Sequence, residues 1–600
     1  MSPPTAAALL GPSKLAPSVA VNNVMPAGKS DAEPKKALSI HGSCGFETTG
    51  DPCLDFFFQV VPGTPADVVG DLLAKAWVKD PVTALKLVCN LRAIRGTGKA
   101  DREGFYAAAL WLHRYHPTTL ALNTRRFAEA GCLKDLPEIL YRLANGANGS
   151  DKARAEASSA VAHRERKVSV SCVSLSDEKR KKVAMKKKKK KMEMAGKAVG
   201  LYSADRDFRF LHDRVADLFA ELLRADLERL RAGDVEKVGL AAKWCPSLDS
   251  SYDRSTLLCE SIARRLFPLH SDPEYPTLEE RHYAYRVRER LRKEVLVPLR
   301  RALALPEVLM ASNQWELLSY ERVASGAMRT HKDLFMRHDG KRLADYQEQV
   351  AEGKTTMAAG ALLPHEILAS ACGGEAEDKV AELQWRRMVE DLSKKGKLTN
   401  CMAVCAMSGN MEKTLQAACV ALGLLVAELS EEPWNRSLIT FSRDPQLHRI
   451  EGKTLRERAN FAVGLEHCDP DLQKVFDMIL RTAAEGKLAA ENMVKRVFVF
   501  GDMEFAKCTG GGRWETDYEA ICRKFEEAGY GAAVPEVVFW NLTHEGPSPV
   551  LARQRGVALV SGFSKNLVKL FLRECELSNP QDVMRAALDG EEYENLVVFD

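Results

Sequence analysis

Cysteine is sparse in this sequence: the 600 residues contain 15, and none falls in a CxxC…CxxC arrangement. That excludes a disulfide scaffold and a paired-thiolate zinc module, and it points to a reducing, intracellular compartment, cytoplasmic, nuclear or both. Long apolar runs are also missing. The longest, 417–427 (AACVALGLLVA), has eleven residues, whereas a bilayer-spanning helix needs about 20, so no membrane partner is expected. Residues 1–36 hold no arginine and no charged segment ahead of an apolar core. They read as a flexible tail, placed at 1–40, with a plastid transit peptide as the alternative. Strand signals are nearly absent before residue 400.

The hydrophobic fraction is 46% and the charged fraction 28%, which excludes a wholly disordered or collagenous chain. Six hundred residues also exceed what one hydrophobic core organises, so several domains are expected. The net charge of +4 hides an asymmetry. Residues 151–200 carry 16 Lys and Arg against 6 Asp and Glu, leaving 70 bases and 76 acids elsewhere. The run Lys186, Lys187, Lys188, Lys189, Lys190 and Lys191 repels itself, and its surroundings are rich in Ser, Ala and Lys. The composition predicts a disordered insertion over 149–200. Three readings stay open for it: a solvated loop, a nuclear-import signal, or a phosphate contact for RNA or DNA.

Apolar residues recur at helical spacing over 45–148 (Val68-Val69, Leu72-Leu73, Ala76-Trp77, Leu85, Val88) and again over 201–397 (Leu211, Val215, Leu218-Phe219, Leu222-Leu223). The two stretches read as one all-α region of paired helices, split by the insertion. At residue 400 the pattern changes. Short apolar runs at 402–405, 437–441, 496–500, 536–540 and 557–560 alternate with helical stretches at 411–429, 470–486, 514–528 and 564–574. Runs apolar throughout describe buried parallel strands, so 398–580 is expected to form a doubly wound α/β sheet, with 581–600 as a C-terminal tail. Ligands approach such sheets at the carboxyl ends of the strands. Two of those ends are polar here, at Ser408-Gly409-Asn410 and at Gly501-Asp502.

The segment Cys405-Ala406-Met407-Ser408-Gly409-Asn410-Met411 resembles the first cation loop of a von Willebrand factor A domain, and Phe500-Gly501-Asp502-Met503 resembles its third. The resemblance implies a Mg²⁺ site of oxygen ligands with a position left open for a partner's carboxylate. The pattern departs where it matters: Ala406 stands for the leading Asp, Asn410 for the second Ser, and the Thr position falls near Pro470. Ser408, Asn410 and Asp502 are the oxygens that remain, with Asp469 or Asp471 as substitutes. The choice is between a degenerate Mg²⁺ site and a retained fold without a cofactor.

Other motifs fail as catalytic signatures. Arg95-Gly96-Thr97-Gly98-Lys99 is not a phosphate loop, because Ala93 stands at the first Gly position and Ala100 follows the lysine. It reads as a turn whose Arg92, Arg95 and Lys99 either face solvent or meet nucleic acid. Lys243-Trp244-Cys245-Pro246-Ser247 through Arg254 reads as a polar loop ending before Leu257. Its Lys243, Trp244 and Arg254 suit base stacking and phosphate contact, or else an interhelical loop over a buried Trp. His365-Glu366 lacks the second His of a zinc helix, and Ser564 lacks the closing Gly of a nucleophile elbow. No catalytic residue is nominated.

With those residues in view, the chain resembles a family of plant proteins, found also in fungi and a giant virus. The family joins a domain of unknown function to a C-terminal von Willebrand factor A-like domain. The resemblance rests on GFETTGDPCLD (45–55), NLRAIRGTGKADREGF (90–105), GLAAKWCPSLDSSYDRSTLLCESIA (239–263), AGALLPH (359–365) and residues 496–504. The architecture is also similar to the Ro autoantigen and the TROVE group, which implies a helical-repeat region of HEAT-like or TROVE-like type and RNA as partner. The expectation is therefore a non-enzymatic binding or scaffold protein for RNA. The alternatives are a scaffold offering its strand-end face to a protein and, third, a metal-assisted hydrolase using Asp502.

Overall fold

The computed structural model describes residues 35–38, 44–146, 177–374, 378–406, 411–442, 444–465, 471–486, 493–503, 517–544, 546–572 and 577–600. They fall into two compact units. Of the described residues, one unit holds Ala109–Asn313 with Val597–Asp600; the other holds those of Gly28–Ala108 with Gln314–Leu596. The expected all-α region is therefore divided: its 45–108 and 314–397 portions join the sheet-bearing unit.

The first unit is helical, and the helix Arg206–Arg231 runs through its middle. Asp205 caps it, accepting from the backbone N–H groups of Asp207 at 3.0 Å and Phe208 at 2.8 Å, which satisfies donors that the first turn leaves unpaired. Its buried stripe of Phe208, Leu211, Val215, Leu218, Phe219 and Leu223 has the spacing read from the sequence. That stripe packs on Pro117–Leu122, Asp135–Asn145 and Leu258–Leu266. Beneath it His212 is buried with Nε2 3.0 Å from the Thr256 carbonyl, and burial pulls its pKa down to about 3.

The lysine run is a correction. It lies on a helix, Asp177–Ala204, not in a disordered segment. The carboxyl half is anchored: Ala198 and Tyr202 are buried, and the Tyr202 hydroxyl donates to Asp213 at 2.9 Å. Ala, Met and Lys are good helix formers, so an anchored end propagates through a run whose own charges oppose it. The C-terminal tail expected at 581–600 contains helical residues and a placed terminal side chain. Pro580–Ala587 is a helix, and the Asp600 carboxylate accepts from the N–H groups of Thr118 at 2.8 Å and Thr119 at 2.9 Å.

In the second unit a short hairpin pairs β1 (Lys36–Leu38) with β2 (Cys44–Phe46). The main sheet contains β3 (Cys401–Cys405), β4 (Ser437–Thr440), β5 (Leu447–Arg449), β6 (Arg496–Gly501), β7 (Glu536–Asn541) and β8 (Val557–Ser561), in the order β5-β4-β3-β6-β7-β8. Five of these strands sit where the apolar runs predicted them. The sheet is mixed, not purely parallel, because β5 pairs antiparallel with β4 at the edge. Its Leu-His-Arg stretch is exposed at both ends and carries no apolar run to betray it. The strand order changes direction between β3 and β6, the kind of switch point at which α/β sheets receive ligands. No helix among the described residues is long and apolar enough to cross a membrane.

Candidate nucleic-acid interface and the strand-end rim

In the first unit the expected polar loop shortens to residues 245–250. Ser250 caps a short helix, Ser251–Thr256, and Leu257 adopts a left-handed conformation (φ 54°) before Leu258–Leu266 begins. Asp253, 1% exposed, organises the loop from beneath. Its carboxylate accepts from the Asp249 N–H (2.9 Å), the Cys259 N–H (3.0 Å) and Arg288 Nη2 (2.8 Å). A buried carboxylate with three donors is fully engaged and fixes the backbone around it.

Cations collect on this framework. Lys243 Nζ lies 5.2 Å from the centroid of the Trp244 ring, and Lys134 Nζ, from a distant stretch of sequence, lies 5.9 Å from it. Trp244 is half-buried. Lys191 donates to Asp249 Oδ1 at 2.7 Å and Arg288 reaches the same oxygen at 3.4 Å. Partial burial works to raise the Asp249 carboxyl, but Lys191, backed by Arg288 and Arg254, holds it below its ordinary value. One carboxylate thus faces three cations. The structure brings Lys191 of the run to Asp249 in the loop that Lys243, Trp244 and Arg254 flank. Lys189, Lys191 and Arg254 are exposed. Lys186, Lys187, Lys188 and Lys190 share the helix, and their side chains lie outside the described residues. Lys134, Arg288 and Arg300 were missed in the sequence because no local spacing marks them; only the fold brings them to the loop.

Lys99 belongs to the second unit and is a second correction. It is 1% exposed and meets no solvent-borne phosphate. Its ammonium donates to the carbonyls of Phe57 and Val60 and to Ser561 Oγ, the last two at 2.8 Å. Ser561 Oγ donates to Phe57 O at 2.9 Å, and Asn541 Nδ2 donates to Phe58 O at 3.1 Å. These carbonyls end the helix Pro52–Gln59, where intrahelical partners run out, and Asn541 and Ser561 are the last residues of β7 and β8. The helix end is therefore capped by side chains at the strand ends. Burial pushes the Lys99 pKa down to about 7.

The glycine-rich turn is gripped from the other side. Ser564 Oγ and Asn566 Nδ2 donate to Gly98 O at 2.8 and 3.2 Å, and Lys569 Nζ donates to Gly96 O at 2.6 Å. A Cβ on Gly98 would fall 2.1 Å from Ala93 O, so this position admits only glycine. Lys565 Nζ donates to Leu362 O at 2.6 Å and Gly360 O at 3.1 Å, holding AGALLPH to the same segment. Asp51, the cap of Pro52–Gln59, accepts from Gln581 at 2.6 Å. Ser564, fully buried and occupied with Gly98, is no nucleophile in this arrangement. Arg95 remains exposed on the turn, and Arg92 is half-buried at the end of Pro81–Arg92.

At the switch point, Ala406 follows β3 with its N–H donating to Phe500 O at 2.7 Å. A Cβ on Gly501 would stand 2.5 Å from the Ala406 methyl, so the two loops start in direct contact. Asp502 follows, half-buried. Ser408 and Asn410, with Asp469, lie outside the described residues. Among the described residues no cluster of three or more His, Cys, Asp or Glu is placed to hold a metal ion.

Fold and site together define a protein with a helical unit carrying a cationic, aromatic loop and a mixed α/β sheet unit whose strand ends are partly covered by its own chain. The chain belongs to the family described as a domain of unknown function (DUF2828), matched over residues 41–398. A second domain of unknown function (DUF7788) matches residues 400–597. An uncharacterized protein of Acanthamoeba polyphaga mimivirus is 26% identical over 581 residues, spanning 92% of this chain and 87% of that protein. The junction of the two domains coincides with the change of pattern at residue 400.

Proposed function

We propose that this is a non-enzymatic binding protein that holds RNA at the 245–250 loop, on Lys243, Trp244 and Arg254 of the helices that flank it. The observation behind this reading is the convergence of Lys134 and Lys243 on one half-buried Trp ring, beside a carboxylate outnumbered by Lys191, Arg254 and Arg288. Two ammonium groups on one ring repel each other, and a phosphate between them relieves that repulsion while a base stacks on the aromatic surface. The test is binding of single-stranded RNA by the full chain, measured against salt. The triple variant Lys134→Glu, Lys243→Glu, Arg254→Glu should bind at least tenfold more weakly and lose about 2 from the slope of log K against log salt, at about 0.7 per phosphate contact. Unchanged affinity and slope reject the reading.

The sheet unit is read as von Willebrand factor A-like, supported by its strand order, its antiparallel edge strand and its switch point between β3 and β6. Ala406 occupies the leading-Asp position, so the rim is read as a degenerate cation site that serves a protein partner and performs no metal-assisted hydrolysis. The rim beside β3 and β6 is the portion offered, since the ends of β7 and β8 cap the chain's own Pro52–Gln59 helix. On this reading the native chain shows no saturable Mg²⁺ binding by calorimetry, and Ala406→Asp gains it. Tight binding by the native chain, abolished in Asp502→Ala, would revive the hydrolase alternative.

A further inference from the structure

Ser247 lies in the 245–250 loop and is exposed. Arg300, on the helix Val297–Ala302, meets it with a guanidinium that is already fixed. Arg300 Nε donates to Ala242 O at 2.8 Å and Nη2 to Cys245 O at 2.8 Å, and Nη1 donates to Ser247 Oγ at 3.0 Å. A guanidinium has five N–H donors. Those contacts use three, leaving one each on Nη1 and Nη2, the pair that engages a phosphate in fork geometry. The neighbouring serines differ. Ser250 accepts from the Asp253 N–H as a helix cap, Ser255 is 6% exposed, and among the described residues no guanidinium reaches Ser250 or exposed Ser251.

We infer that Ser247 is a phosphorylation site whose phosphate docks on Arg300. A protein kinase would supply the group from ATP. The Ser247 Oγ–P bond forms, the bond from the γ-phosphorus to the bridging oxygen breaks, ADP leaves, and the hydroxyl proton passes to the kinase's base. Because Arg300 is held on two carbonyls beforehand, the phosphate meets an oriented partner and little ordering is required. The product ties the loop to the Val297–Ala302 helix and adds nearly two negative charges beside Lys243 and Asp249. The inference goes beyond the RNA reading and stands or falls separately from it.

The test uses the full chain with phosphoserine installed at 247 by an expanded genetic code, and with phosphoserine at 251 as the comparator. In a phosphorus NMR titration the second ionisation at 247 should fall at least half a unit below the ordinary value of about 6, while that at 251 stays there. Arg300→Gln should return the 247 signal to the ordinary value, and the 251 comparator keeps the result readable if that variant folds poorly. Amide exchange over 245–250 should slow several-fold on phosphorylation at 247. Phosphopeptide mapping of the protein isolated from its own cells, with phosphatases inhibited, should find the group on Ser247. Ordinary titration at both positions, or an unmodified Ser247 in that material, overturns the inference.

Discussion

Two sets of lysines, one in each unit, have opposite fates. Lys99 and Lys565 are buried and Lys569 partly so, and their ammonium groups are spent on backbone carbonyls. Lys134, Lys191 and Lys243 lie on or near the surface around Trp244 and Asp249. Secondary structure does not separate them: Lys99 follows a glycine-rich turn and Lys565 and Lys569 lie on the short helix Lys565–Phe571, while Lys191 lies within Asp177–Ala204, Lys243 lies on Ala241–Trp244 and Lys134 precedes Asp135–Asn145. The difference is what each lysine packs against. A lysine packed beside a helix end or a buried turn meets carbonyls that need donors, and it is long enough to reach them; a lysine at the surface leaves its charge to solvent or ligand. Basic residues in a motif therefore say nothing of ligand binding until their burial is known.

The sharpest way to break this comparison is to truncate one lysine from each set. Lys99→Met removes the ammonium from the buried carbonyls of Phe57 and Val60, of which the single Ser561 hydroxyl proton can serve only one, and should cost about 3 kcal/mol of stability, with amide exchange over Pro52–Gln59 rising accordingly. Lys243→Met should stay within about 0.5 kcal/mol of the parent chain while weakening RNA binding. Equal losses in urea unfolding would show that the two sets do not differ.

Proton linkage gives a smaller effect with a definite sign. Burial lowers Lys99 to about 7 and Lys565 and Lys569 to about 8, against an ordinary 10.5. Above those values the folded chain has released protons that the unfolded chain keeps until 10.5, so the unfolded state binds more protons in this window. Stability of the second unit must then rise with pH from about 7 towards 10.5, and the contribution is absent below 7. Urea midpoints measured from pH 6.5 to 9.5 should climb, and the Lys99→Met series should climb less. A flat or falling profile for the parent chain contradicts the burial of these groups.

Much of this architecture was legible in the residues. Val497 to Phe500 and Val537 to Trp540 are fully buried strand residues, and a run apolar on both faces has no other comfortable place than the middle of a sheet. The β5 edge was not legible, since three residues with exposed ends carry no periodic signal. The fate of the glycine-rich turn was hidden for a different reason. Lys99 and Ser561 stand 462 positions apart, and no local pattern encodes a contact that only the folded chain creates. The lysine helix misled through composition, because the contact that anchors it, Tyr202 on Asp213, lies beyond the run. At the loop, Lys243 and Trp244 adjoin in the sequence and so could be read together, while Lys134 was invisible because it comes from a distant stretch of the chain.

The smallest effect on stability, and the finest probe of the surface set, belongs to Asp249. Its pair with Lys191 joins side chains that are 46% and 54% exposed, so solvent screens the attraction and its loss should cost under about 1 kcal/mol. Asn is the informative replacement. Asp249 holds a left-handed backbone (φ 62°), which Asn tolerates better than most residues, so Asp249→Asn removes charge without straining the turn. Two consequences then separate. The helix Asp177–Ala204 loses its tether at Lys191 but keeps Tyr202 on Asp213, so amide exchange should quicken around Lys191 and stay slow near Tyr202. Meanwhile Lys191, Arg254 and Arg288 are released from the carboxylate they share, and RNA affinity at low salt should rise a few-fold. A variant that binds RNA more weakly would mean that Asp249 positions these cations and does not compete for them, and the surface set would then be as structural as the buried one.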